Sequence, residues 1–333
     1  MKSAFNKGVL RSITHSLGRF LAIAVIAALG TGFYAGLRMT APDMKLAGDI
    51  YYDGTNMCDL RVTSTLGLSD ENIEALRQVE GVEGVEGAWE FDALATVEST
   101  QYTVRIHSLD VEAAQASDTS DGIHAVSNDV DYINRPLLVE GEWPDEPGEC
   151  VLSADAVTDG DVELGDTVHV LEGTQDVGDT IDTDEFTVVG FVRSSYYAST
   201  TSMGSTSLGN GSLDQYMYIN EEDFSDDLPY TEAFITVAGA KDLPASSEAY
   251  DDAVAVVAQR IEDLGPELCA QRLDEVKGDA QATLDENRAE YEAEKADAEA
   301  QIADGQKELD DAKAQLDDAA EEIESGQAQL DDG

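Results

Sequence analysis

The stretch FLAIAVIAALGTGFYAGL, Phe20–Leu37, runs for 18 residues without a charge. Coiled as a helix it spans about 27 Å, close to the roughly 30 Å hydrocarbon layer of a bilayer. Arg19 and Arg38 flank it and can reach the two interfaces with their long stems. Ahead of it stand Lys2, Lys7, Arg11 and Arg19, with no acid before Asp43. The excess of positive charge on that side predicts a cytoplasmic N-terminus and an extracytoplasmic bulk, with the chain resident in the cell membrane. Phe5, Val9, Ile13 and Leu17 recur at near-helical spacing, as in a short interfacial helix. A cleaved signal peptide with its apolar core at Phe20–Leu29 is the alternative reading. The 19-residue charged leader and the continuation of the apolar run to Leu37 favour an uncleaved membrane helix. Gly30, Gly32 and Gly36 are helix-packing candidates, because small residues let a second membrane helix approach closely.

Beyond this segment the chain is strongly acidic. The 333 residues carry 70 Asp and Glu against 19 Lys and Arg, a formal charge of −51. From Asp43 onward there are 14 bases against all 70 acids, which excludes nucleic-acid binding through a broad basic face. With 42% hydrophobic residues the chain can still build a core. CDLRVTST, from Cys58, alternates as a strand does. Ser69, with Asn72 three residues on, opens a helix whose apolar face is Ile73, Leu76 and Val79. Strands follow near Trp89–Glu98 and Tyr102–Leu109. Residues 112–131 are polar and read as loop. LGDTVHV (164–170), FTVVGFV (186–192), QYMYI (215–219) and AFITV (233–237) supply further strands. Residues 194–212, rich in Ser, Thr and Gly and containing Tyr196 and Tyr197, read as a mobile loop. A helix over about Ala249–Leu264 is expected to stop at Gly265-Pro266. Strands and helices that do not alternate regularly predict an α+β fold, with the N-terminal transmembrane helix in front and a long coiled-coil helix behind. The expected domains are residues 1–42, 43–265 and 266–333.

After Pro266 the composition narrows to Ala, Asp, Glu, Gln and Leu. Ile302, Leu309, Leu316, Ile323 and Leu330 recur every seven residues, each followed three residues later by Gly or Ala. This is a heptad seam with one large and one small position. Residues 284–333 hold 18 acids and four bases, so many neighbours on the helix surface repel, as Glu290 and Glu294 do. The seam is therefore expected to dock against a partner helix, the alternative being a partly disordered acidic spacer. The repeat stops in register at Gly333, which reads as a piece of a longer chain with a returning helix to complete an antiparallel hairpin.

Motifs for covalent or nucleotide chemistry are absent. There is no G-x-x-x-x-G-K-[ST], no G-x-S-x-G and no H-E-x-x-H. His15, His107, His124 and His169 are dispersed, without metal-ligand spacing. No catalytic, cofactor-binding or metal-binding residue is assigned, and the chain is not read as an enzyme. Cys58, Cys150 and Cys269 allow one disulfide, of undetermined pairing, or none. The acid-dense stretches at 159–163 and 176–185 do not match the EF-hand calcium loop, which needs Gly at its sixth position, and read as solvated.

The order of these elements resembles a known family. A basic leader and one membrane helix precede DLRVTSTLGLSDENIEALRQVEGVEGV, then LLVEGEWPDEPGECVLSADA, LGDTVHV and FTVVGFV. The sequence is similar to FtsX-like permease subunits of ABC transporters that carry a MacB-like extracytoplasmic core domain. The likeness covers roughly residues 1–265, and its most specific parts are LVEGEWPDEPGE (138–149) and LGDTV (164–168). Glu142 stands where that family more often has Arg. The resemblance implies four membrane helices in the full permease, a large external domain after the first, and ATP hydrolysed on a separate partner subunit, with no cofactor in this chain. Movement of the external domain would then expel a lipophilic substrate or act on an extracytoplasmic protein. A membrane-anchored surface scaffold with a coiled-coil arm, without a transport role, is the alternative.

Overall fold

The computed structural model describes residues 2–117, 129–154, 162–197, 203–225 and 228–331. The chain divides into two units, Met1–Leu268 and Cys269–Gly333. The first begins with α1 (Lys2–His15) and α2 (Leu17–Gly54). The apolar span Phe20–Leu37 lies inside α2, which is long and apolar enough to cross a membrane, and none of its most apolar window is buried. The helix runs on past Pro42 to Gly54.

Among the described residues, ten strands build two sheets. The smaller joins β1 (Leu60–Leu68), β10 (Tyr230–Val237) and β2 (Val82–Ala88) in that order, all antiparallel. One face packs against α3 (Asp70–Arg77) and the start of α6 (Glu248–Asp331) through Ile73, Leu76, Ile235, Val257 and Ile261. Asn72 Oδ1 accepts from the Ser69 N–H at the entry to α3 (3.3 Å), as the sequence suggests.

The larger sheet contains β3 (Glu90–Val97), β4 (Thr100–Leu109), β5 (Leu137–Gly141), β6 (Glu149–Ser153), β7 (Thr167–Gly173), β8 (Glu185–Arg193) and β9 (Gln215–Asn220), in the order β5-β8-β6-β9-β4-β3-β7. β7 also pairs with the first residues of β8, so the strands close into a ring. The last residues of β8 pair with β5 instead. Phe91, Val97, Ile106, Phe186, Val188, Met217 and Ile219 are buried within it. In β4 they alternate with Arg105 and His107, whereas in β9 the alternating residues, Tyr216 and Tyr218, are buried on the opposite face.

The α+β class is as expected, and three local expectations are corrected. Val111–Ser117 is a helix, α4, where loop was expected, because Asp110 Oδ1 accepts from the Ala113 N–H (2.9 Å) and Ala114 is buried. Helix α6 continues through Pro266. Gly265, having no Cβ, removes one of the clashes of the proline ring, and the carbonyl of Glu262 goes without its usual helical partner. Within 194–212, Ser195–Tyr197 form a packed 3-10 turn, and Ser205 bridges to Ser212; residues 198–202 lie outside the described residues.

The glycine of the LVEGEWP segment has a steric reason. Gly141 ends β5 at φ +85, and a Cβ there would stand 2.2 Å from the Val189 carbonyl oxygen. Gly141→Ala is expected to lower stability by at least about 2 kcal/mol, from the left-handed backbone and the clash together. Urea unfolding of the full chain in detergent checks this.

Candidate functional site: the helix-to-core joint and the inter-sheet cluster

Helix α2 ends in a buried turn. Thr55 and Asn56 are wholly inaccessible to solvent. Asn56 takes φ +50, its N–H donates to Asp53 O (3.1 Å), and the Met57 N–H donates to Tyr52 O (3.0 Å). This is the Schellman ending, with Asn in the left-handed position that glycine more often fills.

The turn is then bonded to several distant segments. Asn56 Nδ2 donates to Tyr132 O (2.7 Å), and Lys241 Nζ donates to Asn56 Oδ1. Asn134 N–H donates to Asn56 O (2.9 Å) and Arg135 N–H to Thr55 O (2.8 Å). Thr55 Oγ1 donates to Ser195 Oγ (2.8 Å), and Cys58 N–H donates to Asn134 Oδ1 (2.9 Å). Asp59 accepts from the Val237 N–H (2.7 Å) of β10 and from the Tyr250 hydroxyl (2.6 Å) of α6. The end of the membrane-length helix is thereby fixed to both sheets.

A second cluster fills the space between the sheets. The chain leaves β2 at Ala88 and enters β3 at Glu90, so Trp89 is where it changes sheet. The pleat places Glu90 and Asp92 on the outer face of β3, opposite His107 and Arg105 of β4. Arg105 grips Asp92 with two bonds (2.6 and 3.1 Å) and Glu90 with a third (3.2 Å). Arg61 of β1 pairs with Glu232 of β10 and reaches Glu90 Oε1 (3.2 Å). His107 Nδ1 lies 3.6 Å from Glu90 Oε2, and its Nε2 hydrogen-bonds the Tyr197 hydroxyl. Tyr196 sits under the Arg61 guanidinium, and Tyr197 stacks on Tyr216 at 4.1 Å. These contacts run from Thr55 through Ser195 and its neighbouring tyrosines to His107 and Glu90.

Burial sets the protonation states. It pushes the His107 pKa down to about 4, leaving a neutral imidazole. It pushes Glu232 up to about 8, with the nearby Glu90 charge adding to the rise and Arg61 opposing it. Burial works against the Glu90 carboxylate too, but His107, the hydrogen bond with Glu232 and the two guanidiniums outweigh it, and its pKa is lowered.

The donor atoms of Glu90, His107 and Glu232 lie within 4.8 Å of one another, a spacing from which metal ligation can be asked. Both carboxylates already meet arginines, however, and a dication placed among them would face two guanidiniums at close range. The donor set therefore fits a metal poorly.

The other expected residues are placed as follows. A Cβ at Gly30, Gly32 or Gly36 would meet nothing within 4 Å beyond the helix's own backbone. Ile302, Leu309, Leu316 and Ile323 are between 63% and 71% exposed in the second unit, and the side chain of Leu330 lies outside the described residues. Arg11 and Arg19 are exposed. All three cysteines are free thiols, Cys150 buried and Cys269 exposed. Burial raises the Cys58 thiol to about 11. His124 and residues 159–161 lie outside the described residues. In the other acid-dense stretch, Asp176 caps a short turn by accepting from the Gly178 N–H (3.0 Å). Sequence reading missed Asn56, Glu90, Arg105 and Glu232. Arg105 and His107, spaced two apart on a strand whose other face is Val104 and Ile106, were the available signal.

These features define an α+β core joined rigidly to a helix of membrane-spanning length. The chain belongs to the family of the MacB-like periplasmic core domain, whose model matches residues 17–257. No curated protein matches it. Solved structures similar to it include the following two. The extracellular domain of the noncanonical ABC-type transporter YknZ from Gram-positive bacteria shares 12% identity over 57% of this chain and 80% of its own, with a TM-score of 0.29. The periplasmic region of MacB from Actinobacillus actinomycetemcomitans shares 11% identity over 60% of this chain and 75% of its own, with a TM-score of 0.31.

Asn56→Ala is expected to destabilise the chain by about 2–4 kcal/mol, through lost buried hydrogen bonds and a strained backbone. Asn56→Gly, which keeps the backbone conformation, should cost less. Hydrogen exchange at residues 130–136 should accelerate in both, more in the alanine variant.

Proposed function

We propose that this chain is part of an ABC-type permease subunit. ATP hydrolysis on a separate cytoplasmic subunit displaces α2, and α2 in turn moves the extracytoplasmic core. The observation that carries this reading is the buried joint at Thr55 and Asn56, which leaves no slack between helix and core. Membership of the MacB-like periplasmic core domain family supports it. The basic leader, with Arg11 and Arg19, lies on the cytoplasmic side, and the acidic bulk lies outside. Gly32 and Gly36, four residues apart, share a face on which a further membrane helix of the same permease packs, and Gly30, on the other side, admits another. The seam of Ile302, Leu309, Leu316, Ile323 and Leu330 receives a helix of its own kind, and through it the motion reaches an extracytoplasmic partner. The chain performs no catalysis itself; its nucleotide is the partner's.

Two measurements test this reading. A membrane-impermeant thiol reagent should label Asp145→Cys in intact cells and leave Lys7→Cys unlabelled, both in a background lacking the native cysteines. An ATPase subunit should co-purify with the tagged chain from its native membrane. The expected topology without an ATPase would replace the permease by the scaffold reading; reversed labelling would overturn both. For the seam, Leu309→Glu with Leu316→Glu should abolish helix docking, read as loss of cross-linking between residue 312 and its partner.

A further inference from the structure

Glu90 and Glu232 come from different sheets and meet at the interface between them. Each is held by arginine through one oxygen: Glu90 Oε1 by Arg61 and Arg105, and Glu232 Oε2 by Arg61. Their other oxygens, Glu90 Oε2 and Glu232 Oε1, are buried and meet no donor. The side chains are 8% and 1% exposed. Yet a carboxylate oxygen of each lies within 4.8 Å of one on the other. Two ionised carboxylates offer only acceptors, so neither can satisfy the other's unpartnered oxygen unless a hydrogen stands between them.

Charge counting leads to the same place. Arg61 from β1 and Arg105 from β4 bring two positive charges. Glu90 and Asp92 from β3 and Glu232 from β10 bring three negative ones if all are ionised. His107 from β4 is neutral, and the hydroxyls of Tyr196 and Tyr197 and the thiol of Cys58, the remaining titratable groups facing the pair, hold their protons because burial raises all three. One proton cancels the remaining charge; a divalent metal would overshoot it.

We propose that Glu90 and Glu232 form a proton-binding site that latches the two sheets together, one proton being shared between the carboxyl groups. With the proton bound, the pair is a carboxyl–carboxylate hydrogen bond across the interface. With it lost, two like charges face each other in a buried space. The upward shift of Glu232 sets the release in the mildly alkaline range. A cavity of about 20 Å³, bordered by His107, Glu86, Tyr132 and Tyr196, has room for about one water beside the cluster. The site does not depend on the permease reading, since it belongs to the folded core in either case.

The sign follows from linkage. Glu232 unfolds to an ordinary carboxyl that has released its proton by about pH 6, while the folded group keeps it to about 8. Its contribution is full below the unfolded pKa and is lost as pH rises to 8. Across that window the unfolding equilibrium constant should rise about tenfold per pH unit from this one proton. Glu90 and His107 act at lower pH and with the opposite sign, both being shifted down.

The test uses the full chain in detergent. Infrared difference spectra between pH 6.5 and 9 should show loss of a protonated carboxyl band in wild type. That loss should be reduced by one group in both Glu232→Gln and Glu90→Gln. Glu86, also buried and shifted up, remains in every variant and so cancels. Glu232→Gln, which imitates the protonated form, should remove one proton's worth of the stability slope between pH 6.5 and 8. Three results would each overturn the proposal: no difference between wild type and variants in the band, an unchanged slope in Glu232→Gln, or saturable stabilisation by Zn²⁺ that the glutamine variants abolish. The infrared comparison stands even if one variant is too unstable for unfolding curves, because the other carries it.

Discussion

A helix that enters a folded core must satisfy the carbonyls of its last turn where water cannot reach them. At the end of α2 this requirement governs the rest. Backbone groups of Asp53 and Tyr52 are closed by Asn56 and Met57, and the carbonyls of Thr55 and Asn56 are closed by Arg135 and Asn134. Displacing α2 by even an ångström relative to the core leaves several of these groups unpaired. Each would cost about 1–3 kcal/mol, well above thermal energy. The joint therefore behaves as a rigid coupling.

The interface between the sheets differs in kind from the cores on either side. The interior of the ring and the layer beneath α3 are apolar. Between them stand Arg61, Glu90, Arg105, His107 and Glu232, beside a small apolar patch of Ala88, Ile133 and Phe234. Buried ion pairs seldom stabilise more than apolar residues of the same volume would. Stability alone does not call for this cluster. Its geometry fixes the register of one sheet on the other, because Arg61 of the smaller sheet holds Glu232 of its own sheet and Glu90 of the larger one together.

How much of this was legible depended on distance along the chain. Alternation in FTVVGFV and YTVRIHSL revealed the strands, and Ser69 with Asn72 marked α3. The seven-residue spacing of Ile302 to Ile323 predicted helix. Gly265-Pro266 misled because the pair is the usual helix-ending signal, and the helix continues through it at the cost of one backbone hydrogen bond. Val111–Ser117 is short and polar on its surface, so its periodicity was too weak to separate from loop. For the site, Arg105 and His107 could be placed on one strand face, and Glu90 and Asp92 on another. Their partner Glu232 lies some 140 residues away from Glu90, and no local pattern links the two. Asn56 escaped for a different reason. Its role rests on a left-handed backbone and on carbonyls from the 130s, and a single Asn after Gly-Thr announces neither.

The formal charge of −51 bears on the cluster as well as on the surface. Every exposed carboxylate adds a little negative potential, which favours keeping a proton at a buried acidic pair. That contribution acts across solvent and fades beyond roughly 8 Å at physiological salt. The contacts with Arg61, Arg105 and His107 act inside the fold and are screened far less. Proton affinity at Glu90 and Glu232 is thus set first by the five or six side chains that touch them, and trimmed by the acidic surface. Raising ionic strength should remove the trim and leave the pair itself, so the surface charge modulates the site without creating it.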